Sequence, residues 1–407
     1  MPIHIENEAQ RCLTCKVPMC SKFCPIHTQV PDVIRLFREK KVMEAGAMLF
    51  ENNPMSAVCA IVCNHEAQCR GHCVLGRKGT PVQFHEIEKF VSDAYLDRYR
   101  PTDIEKKGKS CAVIGSGPAG LTAAIVLARN GYDVTIFERK NQIGGMLRYG
   151  IPDFRLHKSV LDRYQRLLTR LGVQIRLNTT IGGALRIDNL FRDGYSAIFV
   201  GTGVWRPNTL GIEGESLANA HFGISYLENP GHHDLGKTVA VIGMGNVAMD
   251  VARTAFRNGA ERVMLYSRDG HSTASSHEMS YTELDGAEFI YGKSIRRITP
   301  EGPVFCDSIL DEEGNLTGIK ADTEELVKAD SVIIAISQGP KDKLIMSTEH
   351  LEGTSKGLLI TDENGMTTVE GVFAAGDVVT GPLTVVHAAE EAKKAATSMI
   401  RYMDEKK

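Results

Sequence analysis

No stretch of this sequence stays apolar for the 18 or so consecutive residues that a membrane-spanning helix needs. Nor does it carry a block of like charge. The 47 Lys and Arg against 50 Asp and Glu leave a formal net charge of -3, which invites neither nucleic acid nor an anionic membrane surface. Residues 1–12 are polar and lack the apolar core of an export signal. These absences predict a cytoplasmic protein whose partners are small molecules or other proteins. Cysteine is nearly missing from the last four-fifths of the chain. Beyond Cys73 there are only Cys111 and Cys306, and neither has a Cys-x2-Cys partner, so no redox dithiol is available there. The thirteen histidines, among them His232, His233, His271 and His277, form no metal or triad pattern and read as surface or core residues.

The remaining eight cysteines lie between residues 12 and 73. They form two groups, Cys12-x2-Cys15-x4-Cys20-x3-Cys24-Pro25 and Cys59-x3-Cys63-x5-Cys69-x3-Cys73. Without an export signal, such crowding points to metal ligation rather than to disulfides. The spacing suits iron–sulfur clusters, because a short loop of soft thiolates must wrap a compact cube of ions. Two structural zinc sites, or buried free thiols, are the alternatives.

The rest of the chain repeats itself. Cys111-Ala-Val-Ile-Gly-Ser-Gly-Pro-Ala-Gly120 returns as Val239-Ala-Val-Ile-Gly-Met-Gly-Asn-Val-Ala248. Each copy runs from an apolar strand through a Gly-rich turn into a helix, the opening of a dinucleotide-binding unit. In the first copy Gly115, Gly117, Pro118, Ala119 and Gly120 form the turn, and Glu138 follows at the end of the next strand. Such glycines let the backbone approach a pyrophosphate at a helix N-terminus, and such an acid accepts from a ribose hydroxyl. In the second copy Gly243, Gly245, Asn246, Val247 and Ala248 form the turn, but Ser267 and Arg268 stand where the acid would be. A cation there accommodates a 2'-phosphate, which leans toward NADPH and leaves NADH open. Gly376-Asp377 ends a third short apolar strand, and a helix is expected from about Thr384 to Tyr402. Asp377 is then placed for a flavin ribityl hydroxyl, and the helix N-terminus for the flavin pyrimidine edge.

The expected fold is therefore α/β. Two Rossmann-like dinucleotide-binding domains, the second (235–337) inserted in the first (106–234 and 338–407), follow an α-helical cysteine-rich module (1–105). Helical spacing is expected over residues 30–52 and 85–99 of that module.

Taken together, the cysteine groups, Asn53-Pro54-x3-Val58-Cys59, Gly144-Gly145-Met-Leu-Arg148-x-Gly150-Ile-Pro152, Gly245-Asn-Val-Ala-Met-Asp250 and Ala374-Ala-Gly-Asp377 resemble the glutamate synthase small-subunit family. That family includes the N-terminal half of dihydropyrimidine dehydrogenase, and the likeness spans the whole chain. In length and in the early start of its cysteines the chain is most similar to the small subunit of the bacterial NAD-dependent enzyme. The resemblance implies FAD, NAD(P)H as substrate and two [4Fe-4S] clusters, with electrons passed to a larger catalytic reductase subunit or a ferredoxin. It implies interleaved ligands: Cys12, Cys15, Cys20 and Cys73 for one cluster, and Cys24, Cys63, Cys69 and Glu88 for the other. Cys59 is then a buried spare thiol, and the alternative for Glu88 is an exposed helix acid. It also implies that Arg139, Gly145, Leu147, Arg148 and Ile151 contact cofactor, and that no acid/base side chain is demanded.

Overall fold

The structure, a computed structural model, describes residues 4–102 and 104–406. Its contacts divide it into two units. One contains the chain through Arg148, Asp153–Val204 and the chain from Pro340 onward; the other contains Tyr149–Pro152 and Trp205–Gly339. Among the described residues no helix is long and apolar enough to cross a membrane.

The first unit opens with the helices Ile5–Arg11, Val30–Arg38, Val42–Asn52, Ser56–Val62 and Phe84–Arg98. Val30–Arg38 forms because its apolar residues recur every three or four positions, so that Val30, Val33, Ile34 and Phe37 bury one stripe. Pro31 sits in its first turn, where a missing N–H costs nothing. The helical stretch expected over residues 30–52 is broken: Lys40 takes a left-handed φ of 62° between two helices, which lets the second fold back against Phe84–Arg98. This module is tied to the α/β part of its own unit. The Tyr164 hydroxyl donates to the Pro54 carbonyl at 2.8 Å, Arg163 pairs with Asp97 at 2.9 Å, and the Lys393 ammonium donates to the Asn52 carbonyl at 2.9 Å.

That α/β part is built on a five-stranded parallel sheet in the order Val372–Ala374, Tyr195–Val200, Ser110–Ile114, Asp133–Phe137, Gln174–Arg176. The four residues from Cys111 to Ile114 are all buried, as expected for a central strand covered on both faces by helices. The helices Pro118–Arg129 and Val385–Glu405 pack against each other. The last strand, late in the sequence, thus completes the first sheet.

The second unit repeats this arrangement in the order Ala220–Phe222, Ser331–Ile334, Thr238–Ile242, Arg262–Tyr266, Glu288–Ile290, again all parallel. Its first strand lies well before residue 235. The segment from Trp205, expected with the first nucleotide-binding domain, packs with the second because Ala220–Phe222 pairs with Val332–Ile334 as an edge strand. An antiparallel sheet of Lys293–Thr299, Gly302–Leu310 and Leu316–Leu326 is appended to this unit.

Candidate functional site

Turns and helix ends present most of the clustered cysteines. Cys12 caps Ile5–Arg11, Cys63 caps Ser56–Val62, and Cys73 precedes a short 3-10 turn, Val74–Arg77. Cys12, Cys15, Cys20 and Cys73 line one pocket of about 280 Å³, walled by apolar Leu13, Val17 and Ile34. Burial pushes Cys20 up to about 11 and raises Cys12, and in each case the other thiols of the set oppose ionisation further. Four thiols are therefore close enough to feel one another's charge, although Cys73 lies more than 50 residues from the rest.

Cys69 also borders this pocket, but its strongest charged neighbours are Glu88 and then Cys24. Glu88 likewise acts on Cys24 and on Cys63. The carboxyl is no solvated helix acid: Glu88 is 6% exposed, and burial pushes its pKa well above the usual carboxyl range. Cys24 lies 3.4 Å from the Thr28 hydroxyl. Cys63 is hydrogen-bonded to Cys59 one turn earlier, and that bond together with burial raises it strongly. Cys59 is 2% exposed inside its helix. The structure thus groups the described donors as Cys12, Cys15, Cys20, Cys73 and as Cys24, Cys63, Cys69, Glu88, with Cys59 beside the second group.

The donor chemistry fits iron–sulfur ligation. Seven of the eight donors are soft thiols, the ligand type that such clusters take. Thiols ranged around a pocket suit a cube of four irons, whose ligands bind different corners. Loading would displace the protons that burial holds on these groups.

In the α/β part of the same unit, two glycine-rich segments meet above the central strand. Gly115 has φ 97°, and a Cβ there would lie 2.6 Å from the Gly201 carbonyl oxygen; at Gly120 it would lie 2.0 Å from that of Gly115. Pro118 begins the helix and Ala119 is buried beneath it. The Gly144 amide donates to the Ser116 carbonyl at 3.0 Å, which brings Gly145 against Gly117. Glu138 is buried at the end of Asp133–Phe137. One oxygen accepts from the Ser116 amide at 2.9 Å and the other from the Lys140 amide at 2.8 Å. Arg139 beside it is exposed. Leu147 is buried, while Arg148 donates to the Ile143 carbonyl and to Asp162, both at 2.8 Å. Ile151 falls in the second unit.

Gly376 packs against Ala119, and its amide donates to Glu391 at 3.0 Å. Asp377 follows, half-buried, and desolvation pushes its carboxyl up to about 6. It accepts from the Leu383 amide at 3.2 Å. Thr384 is the N-cap of Val385–Glu405 without a side-chain cap bond; its hydroxyl engages the His387 ring instead. The first-turn amides are therefore not consumed by a capping side chain.

In the second unit Gly243, with φ 121°, passes close to the Ala335 carbonyl, and Gly245 caps the helix Asn246–Arg257. The Asn246 side chain accepts from the Ser275 amide at 2.9 Å, Val247 is half-buried, and Ala248 is buried. Arg268 is 70% exposed at the end of Arg262–Tyr266, 3.7 Å from Asp269. Ser116, Thr28 and Glu391 escape sequence reasoning, because each acts through a neighbour brought to it by the fold. Cys111 and Cys306 are both fully buried, which removes them from thiol exchange.

Residues 109–392 match the family model described as pyridine nucleotide-disulphide oxidoreductase, and residues 2–99 match that of dihydropyrimidine dehydrogenase domain II, 4Fe-4S cluster. The glutamate synthase [NADPH] small chain of Escherichia coli is 32% identical over 98% of this chain and 91% of its own length. The NAD-dependent dihydropyrimidine dehydrogenase subunit PreT of Salmonella typhimurium is 31% identical over 99% and 95%. Among solved structures, FprA of Mycobacterium tuberculosis in complex with NADPH shares the fold, with a TM-score of 0.60 at 16% identity over 73% of this chain and 85% of that one. The chain belongs to the pyridine nucleotide-disulphide oxidoreductase family, in the group that includes the glutamate synthase small chains, and is an NAD(P)H-dependent iron–sulfur flavoprotein oxidoreductase.

Proposed function

We propose that this chain is the electron-input subunit of a dihydropyrimidine dehydrogenase-like complex, oxidising NAD(P)H and passing electrons singly to a partner reductase. The observation that carries this reading is the division of the clustered donors into two interleaved groups, Glu88 included. Bound FAD and two [4Fe-4S] clusters would supply the conversion of a two-electron donor into one-electron steps. Cys12, Cys15, Cys20 and Cys73 hold one cluster; Cys24, Cys63, Cys69 and Glu88 hold the other. The turn from Gly115 to Gly120 receives the FAD pyrophosphate and Glu138 its ribose, while Arg139, Gly145, Leu147 and Arg148 line the cofactor. Asp377 and the Thr384 helix end orient the flavin, and the positive end of that helix favours negative charge. Gly243, Gly245, Asn246, Val247 and Ala248 bind the pyridine nucleotide, with Arg268 placed for a 2'-phosphate.

Near-complete mutual coverage with PreT supports the pyrimidine-linked reading. A glutamate synthase role is the second reading, supported by identities of 32% and 34% to small chains of that enzyme. Anaerobic co-purification separates them. The complex is expected to oxidise NAD(P)H only when uracil or thymine is added; a companion that ignores pyrimidines and forms glutamate turns the assignment to the second reading.

A further inference from the structure

The rim of the Cys12, Cys15, Cys20 and Cys73 pocket differs in charge from the chain as a whole. Residues 9–34 and 67–85, which span the pocket lining, contain six Lys or Arg and one acid, Asp32, which pairs with Arg35, in a chain of net charge -3. Arg11 and Arg70 are paired with Glu8 and Glu66. Lys16, Lys22, Arg77 and Lys78 are exposed and have no acidic partner among the described residues. Arg38 is also exposed, with its guanidinium 3.5 Å from the Cys12 carbonyl. The same rim is apolar. Leu13, Val17 and Val74 line the pocket with 59%, 73% and 40% of their surfaces exposed. Phe23, 43% exposed, stacks at 3.5 Å on His72, another lining residue.

Scattered exposed apolar residues are ordinary, but several at one pocket mouth, in segments whose unpaired charges are cationic, mark an interaction surface. Small, charge-steered contacts are typical of transient redox encounters. We propose that this rim docks the electron-exchanging partner, a redox protein or subunit presenting an acidic, partly apolar face to it. The proposal rests on the reading that electrons leave through the iron–sulfur module. Each NAD(P)H oxidised yields NAD(P)+, one proton and two electrons, and reduces two one-electron centres of the partner.

Cytochrome c in its native basic form and after succinylation, which keeps the haem and reverses the surface charge, probes this directly. Anaerobically, at low salt, the NAD(P)H-reduced holoprotein is expected to reduce the succinylated form with a kcat/KM about tenfold higher or more, an advantage that shrinks as ionic strength rises. That salt dependence tests the charge argument in the unsubstituted protein. Lys16→Glu, Lys22→Glu and Lys78→Glu combined are expected to abolish or invert the preference, with iron content and the rate toward the uncharged quinone menadione unchanged. Equal kcat/KM for the two cytochromes, or a preference kept by the fully loaded triple variant, overturns the docking surface. A wild type that reduces menadione while NAD(P)H leaves its clusters oxidised overturns the electron route itself, and the docking proposal with it.

Discussion

Glu88 is buried among thiols with its pKa raised, an arrangement that costs stability unless the carboxyl has a partner. The proposed cluster ligand role would account for its retention there, and the neighbouring Cys59 provides the control. Glu88→Ala is expected to lose up to about half of the iron while FAD stays bound, because one of two clusters loses a ligand. Cys59→Ser is expected to retain full iron. Two ligand sets of consecutive cysteines predict the reverse, so iron analysis and EPR of the two variants decide between the arrangements. At Asp377 the relevant quantity is the proton. Burial pushes this carboxyl up to about 6, so the folded, flavin-free chain retains a proton that the unfolded chain releases. Its contribution to stability is thus fully present below about pH 4 and lost as pH rises through about 6. Asp377→Asn should stabilise the flavin-free protein by about 1–3 kcal/mol at pH 8, the gain shrinking toward zero near pH 4. Thermal melts across that range check it; a gain independent of pH would remove ionisation as the cause.

At the scale of elements, the turn at Gly115–Gly120 is the tightest requirement in the first sheet. A methyl at Gly120 would sit 2.0 Å from the Gly115 carbonyl oxygen, so the helix must move off the strand end. Gly120→Ala is expected to abolish FAD binding and to cost about 1–3 kcal/mol or more through overpacking. The helical module is expected to keep its iron, which flavin absorbance and iron content measured on one sample would show. Loss of both together would mean that the module does not hold its clusters independently of the flavin. This turn and its copy at Gly243 are legible in the sequence because local backbone sterics dictate the residue types. The strand endings at Glu138 and Asp377 are legible for the same reason. The break at Lys40 is not, since apolar spacing continues across it and only packing against Phe84–Arg98 requires the reversal. The antiparallel sheet over residues 293–326 is equally hidden: Leu316–Leu326 is mostly exposed and carries no alternating apolar face. The edge strand Ala220–Phe222 has three half-buried residues and gains its identity only by pairing with Val332–Ile334.

For the whole molecule, the grouping of donors is a tertiary property. Spacing alone pairs Cys24 with Cys12, Cys15 and Cys20, whereas the fold brings Cys73 to that set and leaves Cys24 near Cys69 and Glu88. Crossing the ligands in this way would staple the start of a small helical module to its end, adding stability that so small a core supplies poorly. It would also make folding of the module depend on cluster loading. The two α/β parts, in contrast, carry full five-stranded sheets of their own. NAD(P)H electrons are proposed to cross from flavin to two clusters held by this chain. Anaerobic titration of the purified protein with NAD(P)H, followed by flavin absorbance and low-temperature EPR, tests it most directly. About eight irons and one FAD per chain are expected, with flavin bleaching accompanied by a reduced [4Fe-4S] signal. A protein that carries zinc in place of iron, or whose flavin bleaches with no cluster signal, would contradict it.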